Sequence, residues 1–312
     1  MTKSAISWRG VVKRFGGMTA LDRLSVDVPA GSICGLVGSN GAGKTTAFSV
    51  AAGLTRPDEG EVIVFGRRPF DPVADAGRLT LLPQDSELPR DSRPRDLLAF
   101  YGALQGLDRR TAVREADRLL ELVHLSDRAH SPVRTLSHGM RKRIMIAQCF
   151  LGAPEVVLLD EPLSGLDPRE VARMREFLID QRRRRTIVIS SHNLHEIELV
   201  CDHVIFIEHG RAVQSGPIET LTGRRDLLVY ELVSGYEPDL AALASPDDAL
   251  ELAWNPATGE LSCRFDADQT APDEVNRRLL PRLLAAGAPL LAVRRGDRLE
   301  ERYLTLAGSS AS

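Results

Sequence analysis

A glycine-rich segment near the N-terminus has the residue types and spacing of a phosphate-binding loop. Residues 38–45 read GSNGAGKT and match the pattern GxxxxGK[ST]. The segment lies between the apolar run Ile33–Val37 and a helix predicted over residues 44–52, the context that the pattern requires. Glycines let backbone N–H groups close around phosphate oxygens, Lys44 supplies a compact positive charge, and the Thr45 hydroxyl is a ligand for Mg²⁺. The sequence therefore predicts a triphosphate site.

Two carboxylates end a second apolar strand, predicted over residues 156–160. Asp160 and Glu161 are expected at the carboxyl edge of the sheet, where open α/β folds bind ligands. We expect Asp160 to hold Mg²⁺ through water. Because Pro162 follows Glu161, we expect extended backbone there, with the Glu161 carboxylate placed to orient or deprotonate an attacking water. The alternative is two ordinary surface acids, and the phosphate loop favours the catalytic interpretation.

The hydrophobic pattern around these motifs predicts an α/β fold. Strands are predicted at residues 7–12, 24–28, 33–37, 61–65 and 79–82, and helices at 94–106 and 111–123 form an inserted helical subdomain. Strands at 156–160, 186–190 and 203–208 then alternate with helices at 168–182 and 194–200. Such alternation predicts a largely parallel sheet with helices on both faces.

A second, smaller domain is predicted beyond a change in composition near residues 220–225. The predicted elements are strands at 227–233 and 290–293, a hairpin of 250–254 and 261–265 with its turn at 255–259, a helix at 272–286 and a short helix from Arg298. We therefore expect a nucleotide-binding domain at residues 1–222, with its helical subdomain at about 85–152, and an α+β domain at 223–312.

Composition narrows the possible partners. The formal net charge of -3 gives no reason to expect nucleic-acid binding. No stretch approaches the ~18 consecutive apolar residues that span a bilayer, and no signal peptide is apparent at the N-terminus. We therefore expect any membrane role to come through a partner. The four cysteines form no CxxC pair and are expected to be reduced, mostly buried thiols.

A third motif precedes the acidic strand. Residues 136–140 read LSHGM and open a helix with apolar residues at helical spacing, for which Ser137 is a predicted cap. In this order, the three motifs resemble those of ATP-binding cassette (ABC) ATPases over roughly the first 220 residues. The resemblance implies a P-loop NTPase fold, with a RecA-like parallel core, an antiparallel β subdomain and an inserted α-helical subdomain. It also implies ATP hydrolysis, with ATP and Mg²⁺ as cofactors.

The resemblance assigns roles to further residues. Gln84 corresponds to the Q-loop glutamine that senses Mg²⁺, Asp167 to the D-loop, and His192 to the switch histidine that contacts the γ-phosphate. Phe15 stands where the family usually has a tyrosine stacked on adenine. Each has a simpler alternative: a loop glutamine, a helix cap, a turn histidine and a core aromatic residue. The remaining implied nucleotide contacts are Gly38, Ser39, Asn40, Gly41, Ala42, Gly43, Lys44, Thr45, Thr46, Ser137 and Gly139.

The signature motif also indicates a dimer and a branch of the family. In the family, donors such as Ser137 and Gly139 complete the site of the opposite subunit, which implies a head-to-tail dimer around two ATP molecules. His138 and Met140 replace the glycine and glutamine of the commonest motif, LSGGQ. This variant and the tail at residues 298–304 resemble the branch that energises ABC-2-type exporters, including bacitracin and other antibiotic-efflux systems. We also consider His138 a candidate for a γ-phosphate contact.

These resemblances predict an ATPase subunit on the cytoplasmic side of the membrane, attached through a separate integral permease and paired with a second ATP-binding subunit. An importer ATPase is the first alternative, because the core motifs are shared. A soluble ABC protein acting on ribosomes or nucleic acid is the second. Such proteins usually carry two cassettes or a long insertion, and neither is apparent in this sequence.

Overall fold

The computed structural model describes residues 3–244, 249–300 and 303. Within this part, the chain divides into two compact units, Met1–Gly216 and Pro217–Ser312, which are described separately. No helix among these residues combines the length and the apolar character needed to cross a membrane.

The first unit contains a largely parallel sheet and an antiparallel sheet. Its strands are β1 (Ser4–Phe15), β2 (Met18–Pro29), β3 (Ile33–Val37), β4 (Glu59–Val64), β5 (Leu79–Leu82), β6 (Val156–Asp160), β7 (Thr186–Ser191), β8 (His203–Glu208) and β9 (Arg211–Pro217). One sheet has the order β5-β6-β7-β3-β8-β9, in which β5, β6, β7, β3 and β8 pair in parallel. The other has the antiparallel order β2-β1-β4. The predicted α/β fold with a parallel core is thereby confirmed.

The helices of this unit follow the predicted pattern. They are α1 (Lys44–Ala51), α2 (Pro94–Leu104), α3 (Arg109–Leu122), α4 (His138–Gln148), α5 (Pro168–Asp180) and α6 (Leu194–Val200). Helices α2, α3 and α4 are inserted between β5 and β6. Every residue of β3, β6 and β7 is buried, which explains their near-continuous apolar sequences.

The second unit is an antiparallel sheet covered on one face by a helix. The sheet has the order β11-β12-β10-β13, from β10 (Leu227–Leu232), β11 (Glu251–Asn255), β12 (Glu260–Arg264) and β13 (Leu290–Arg295). Its helices are α7 (Ile218–Leu221), α8 (Leu240–Leu243) and α9 (Pro272–Ala285). The predicted hairpin and long helix are present, whereas most of the helix expected from Arg298 lies outside the described residues.

Candidate functional site

The phosphate loop joins the end of β3 to the start of α1, and its glycines are required by close packing. A Cβ atom on Gly38 would lie 2.1 Å from the carbonyl oxygen of Ile207. Gly43 has a φ of 106°, and a Cβ there would lie 2.6 Å from the carbonyl oxygen of Ala20. Only glycine fits both positions without displacing backbone, so the loop can present its N–H groups without side-chain obstruction.

Lys44 is buried at the mouth of this loop. The residue is only 7% exposed. Its Nζ donates hydrogen bonds to the carbonyl oxygens of Gly38 at 2.8 Å and Ser39 at 3.1 Å. The ammonium therefore lies along the inner curve of the loop, where it can neutralise phosphate charge. Thr45, a predicted Mg²⁺ ligand, is exposed on the first turn of α1, and the neighbouring Thr46 is half-buried.

Asp160 is buried with one carboxylate oxygen unpaired. It is 1% exposed, and Oδ1 accepts a short hydrogen bond from the hydroxyl of Ser190. Its Oδ2 atom has no hydrogen-bond partner. An orphaned carboxylate oxygen is costly unless a cation or water satisfies it, so this site fits the predicted Mg²⁺. Among the described residues, no cluster of three or more His, Cys, Asp or Glu side chains could hold a metal.

Glu161 directly follows and has an unusual backbone conformation. Its φ is 49°, so the expectation of extended backbone before Pro162 is wrong. The Glu161 N–H donates to Ser190 Oγ at 2.9 Å, and this tertiary contact accompanies the left-handed conformation despite the local preference. The residue is 6% exposed, and His192 Nδ1 lies 3.2 Å from Oε1 and 3.1 Å from Oε2. The structure thus brings the predicted base and the predicted switch histidine together.

Two residues near these carboxylates escaped the sequence analysis. Ser190 is fully buried and forms hydrogen bonds with both acidic residues. The sequence feature that could have identified it is a polar residue near the end of an apolar strand, and that strand pairs with β6. Lys142, in α4, is 6% exposed, and its burial lowers the pKa of the ammonium group. The charges of Glu161 and Asp160 oppose that shift, as does Asp85, so a buried cation lies within electrostatic range of both carboxylates.

The signature residues lie at the N-terminus of α4, as the predicted cap requires. Ser137 Oγ accepts a hydrogen bond from the N–H of Met140 at 3.1 Å. His138 Nε2 lies 3.3 Å from the position of a Cβ on Gly165, so its ring packs against the D-loop of the same chain. A Cβ on Gly139 would lie 3.3 Å from Cγ of Glu170, so a side chain there would require that glutamate to shift slightly. The action of Ser137 and Gly139 on a second copy stays a prediction.

The other predicted residues lie on loops and strand ends. Gln84 is exposed in the loop after β5, and Asn40 and Gly41 are exposed in the phosphate loop. Asp167 caps α5 by accepting hydrogen bonds from the N–H groups of Arg169 and Glu170, both at 2.9 Å. It therefore acts as a helix cap, and its part in nucleotide binding stays a prediction. Phe15 is 48% exposed at the end of β1, which excludes the alternative of a core residue.

Together, the parallel sheet, the phosphate loop and the acidic strand end define a P-loop nucleotide hydrolase. The family model for the ABC transporter matches residues 21–164. The chain is 32% identical over 317 residues to Nod factor export ATP-binding protein I of Rhizobium sp. (strain N33), covering 99% of this chain and 98% of the relative. An uncharacterized ABC transporter ATP-binding protein of Methanocaldococcus jannaschii is 32% identical over 229 residues, covering 73% and 83% of the two chains.

Solved structures agree with this likeness. The structure of an ATP binding subunit of an ABC transporter superposes with a TM-score of 0.62 at 25% identity, covering 71% of this chain and 93% of that one. The chain therefore belongs to the ATP-binding proteins of ABC transporters. It is an ATP-binding, ATP-hydrolysing transporter subunit.

Proposed function

We propose that this chain powers export through a separate ABC-2-type membrane permease. The observation that carries the proposal is the extent of its similarity to Nod factor export ATP-binding protein I. The alignment covers 99% of the chain and therefore includes the second unit as well as the nucleotide-binding one. The variant signature at Ser137–Met140 supports the same branch, in which drugs or antibiotics are the expected cargo. Attachment to the permease would hold the chain on the cytoplasmic face of the membrane.

The site geometry supports in-line attack of water on ATP. Backbone N–H groups of the loop and the Lys44 ammonium would hold the phosphates. Thr45, the unpaired side of Asp160 and Gln84 would hold Mg²⁺, which would supply positive charge to offset that of the triphosphate. Glu161 would orient or deprotonate the attacking water, with His192 at 3.1 Å fixing its carboxylate.

A second copy would complete each nucleotide site. The N-terminus of α4 carries N–H groups and the Ser137 hydroxyl, which suit a phosphate group of a facing subunit. Closure on two ATP molecules and reopening after hydrolysis would switch the permease between states. Phe15, with its ring exposed, would stack on adenine, and Asp167 would act across the same interface.

Substitution of Glu161 by glutamine tests the dimer and the catalytic assignment together. Glu161→Gln keeps the shape of the side chain but removes its basicity, so we expect ATP binding to persist and turnover to fall at least about 100-fold. With Mg-ATP the variant should accumulate dimers, measured by size-exclusion chromatography with light scattering. Lys44→Ala is the matched control that should neither bind nor dimerise. The proposal is contradicted if the Glu161→Gln variant hydrolyses ATP at the wild-type rate, or if it stays monomeric at every concentration.

The class of partner is tested by affinity capture from a detergent extract. A polytopic permease should copurify with the tagged chain and change its ATPase rate when the two are reconstituted in lipid. Capture of an importer permease would be consistent with the ATPase assignment but would overturn the proposed role in export. Ribosomes or nucleic acid in place of a membrane protein would overturn the transport role.

A further inference from the structure

The end of β8 and the turn that joins it to β9 pack against the phosphate loop. The carbonyl oxygen of Ile207 closes over Gly38, leaving no room for a Cβ. On the other side of the turn, the Gly210 N–H donates to the carbonyl oxygen of Ala42 at 2.9 Å. His209 and Gly210 both have positive φ, at 48° and 76°, so the chain reverses tightly at this point. The backbone of this segment thus contacts the loop at Gly38 and at Ala42.

One side chain at the end of β8 adds to these contacts. Glu208 accepts two hydrogen bonds from the same loop residue, from the Ser39 N–H to Oε1 at 3.2 Å and from the Ser39 hydroxyl to Oε2 at 2.9 Å. The carbonyl oxygen of Ser39 accepts in turn from Lys44 Nζ at 3.1 Å. A carboxylate is a strong acceptor, and two bonds to one residue fix both its backbone and its side chain. The contacts run from Glu208 through Ser39 to Lys44.

We propose that Glu208 is a positioning residue for ATP binding. By holding Ser39 through two bonds, it fixes the first turn of the phosphate loop and the carbonyl oxygens that orient Lys44. A loop fixed in advance loses less conformational freedom when the triphosphate binds, so affinity rises without any direct contact to the nucleotide. Glu208 acts through the loop and is not a catalytic residue.

The negative charge of Glu208 has the opposite effect on affinity. A carboxylate close to a triphosphate repels it, and any substitution that removes the charge relieves that repulsion. If positioning dominates, Glu208→Ala weakens ATP binding; if repulsion dominates, the same change strengthens it. The sign of the change in dissociation constant therefore decides between the two roles.

The test measures Mg-ATP affinity and steady-state hydrolysis in purified full-length variants. Glu208→Ala should raise Kd and KM about five- to tenfold, since a hydrogen bond to a charged group is lost, while kcat at saturating ATP stays within about twofold. Glu208→Gln retains an acceptor oxygen and should recover most of the affinity. Glu115→Ala, which removes a half-buried carboxylate paired with Arg118 in α3, is the control and should change neither constant.

A double-substitution cycle shows whether Glu208 acts through Ser39. Ser39→Ala introduced into Glu208→Ala should cost no further affinity, although Ser39→Ala alone weakens binding. An unchanged or lower Kd in Glu208→Ala overturns the proposal. So do additive losses in the double variant, or a loss confined to kcat and thermal stability with KM unchanged.

Discussion

The hydroxyl of Ser190 contacts both acidic residues at the end of β6. It donates to Asp160 Oδ1 and accepts the backbone N–H of Glu161. This places the unpaired Oδ2 of Asp160 as the atom available to a cation, while the left-handed backbone of Glu161 is held from the neighbouring strand. A single buried serine thus couples the predicted Mg²⁺ ligand to the predicted base.

Removal of this hydroxyl should impair both stability and catalysis. Ser190→Ala leaves the buried Glu161 N–H and Asp160 Oδ1 without their partner, so the free energy of unfolding should fall by about 1–3 kcal/mol. ATP turnover should fall as well, since Glu161 loses its backbone restraint. Urea denaturation and steady-state ATPase assays measure the two effects.

Thr186→Val is the matched control for that substitution. Thr186 is also a buried hydroxyl residue of β7, and its Oγ1 accepts the Gly31 N–H at 2.9 Å at the opposite end of the strand. Its loss should destabilise the fold by a similar amount but leave kcat within about twofold. If Ser190→Ala hydrolyses ATP at the wild-type rate under conditions where it is fully folded, Ser190 does not couple Asp160 and Glu161.

At this scale, contiguous motifs were predictable and contacts between strands were not. Lys44, Asp160 and Glu161 were predicted because each lies within a short pattern whose chemistry depends on neighbours in sequence. Ser190 and Glu208 act from strands that pairing brings alongside, and sequence spacing does not encode that pairing. The conformation of Glu161 was also missed, since the local effect of proline gives no sign of the tertiary hydrogen bond that accompanies it.

Helices α4 and α5 are joined by an ion pair between a buried arginine and a half-buried glutamate. Arg143 Nε lies 2.7 Å from Glu170 Oε2, with the arginine side chain 3% and the glutamate side chain 16% exposed. Arg143 Nη1 also donates to the carbonyl oxygen of Val123 at 2.6 Å, beyond the end of α3. Since α4 begins with the signature residues and α5 follows the D-loop, this pair ties together the two segments expected to meet a second subunit.

Breaking this pair on one side should be more damaging than replacing both partners. Glu170→Ala leaves a buried guanidinium uncompensated and should lower the free energy of unfolding by about 3–5 kcal/mol. The double variant Arg143→Met, Glu170→Leu should recover most of that loss, because apolar packing replaces the pair. Urea unfolding curves measure both, with Asp273→Ala in the exposed Arg277–Asp273 pair of α9 as the control. A double variant no more stable than Glu170→Ala would contradict this account.

Elements with strong periodicity or clear caps were predicted well. Ser137 and Asp167 cap α4 and α5 at the expected positions, because their side-chain oxygens accept N–H groups of the first turn. Strand β9 was missed: it alternates exposed and half-buried residues at the edge of its sheet and has no apolar run. Strands β1 and β2 are longer than predicted, since pairing continues through polar residues past several register shifts.

Each unit contains a hydrophobic core formed by its own described residues. The first unit packs around β1, β2, β3 and α1 and includes Trp8, whose Nε1 donates to the Ala47 carbonyl oxygen at 3.3 Å. In the second unit, Leu228 and Tyr230 of β10 pack with Leu279 and other residues of α9. Because each core is complete within its own unit, we expect the two units to unfold as separate cooperative steps.

Differential scanning calorimetry of the Glu161→Gln variant should therefore show two transitions, of which Mg-ATP shifts only one. Ligand at about 100 times its Kd stabilises the unit that binds it by about 2.7 kcal/mol, while the other unit gains nothing from mass action. Leu279→Ala assigns the remaining transition, because a cavity in the α9 core should cost about 2–5 kcal/mol there alone. A single transition shifted by both ATP and Leu279→Ala would show that the units unfold together. The second unit would then contribute directly to the stability of the nucleotide site.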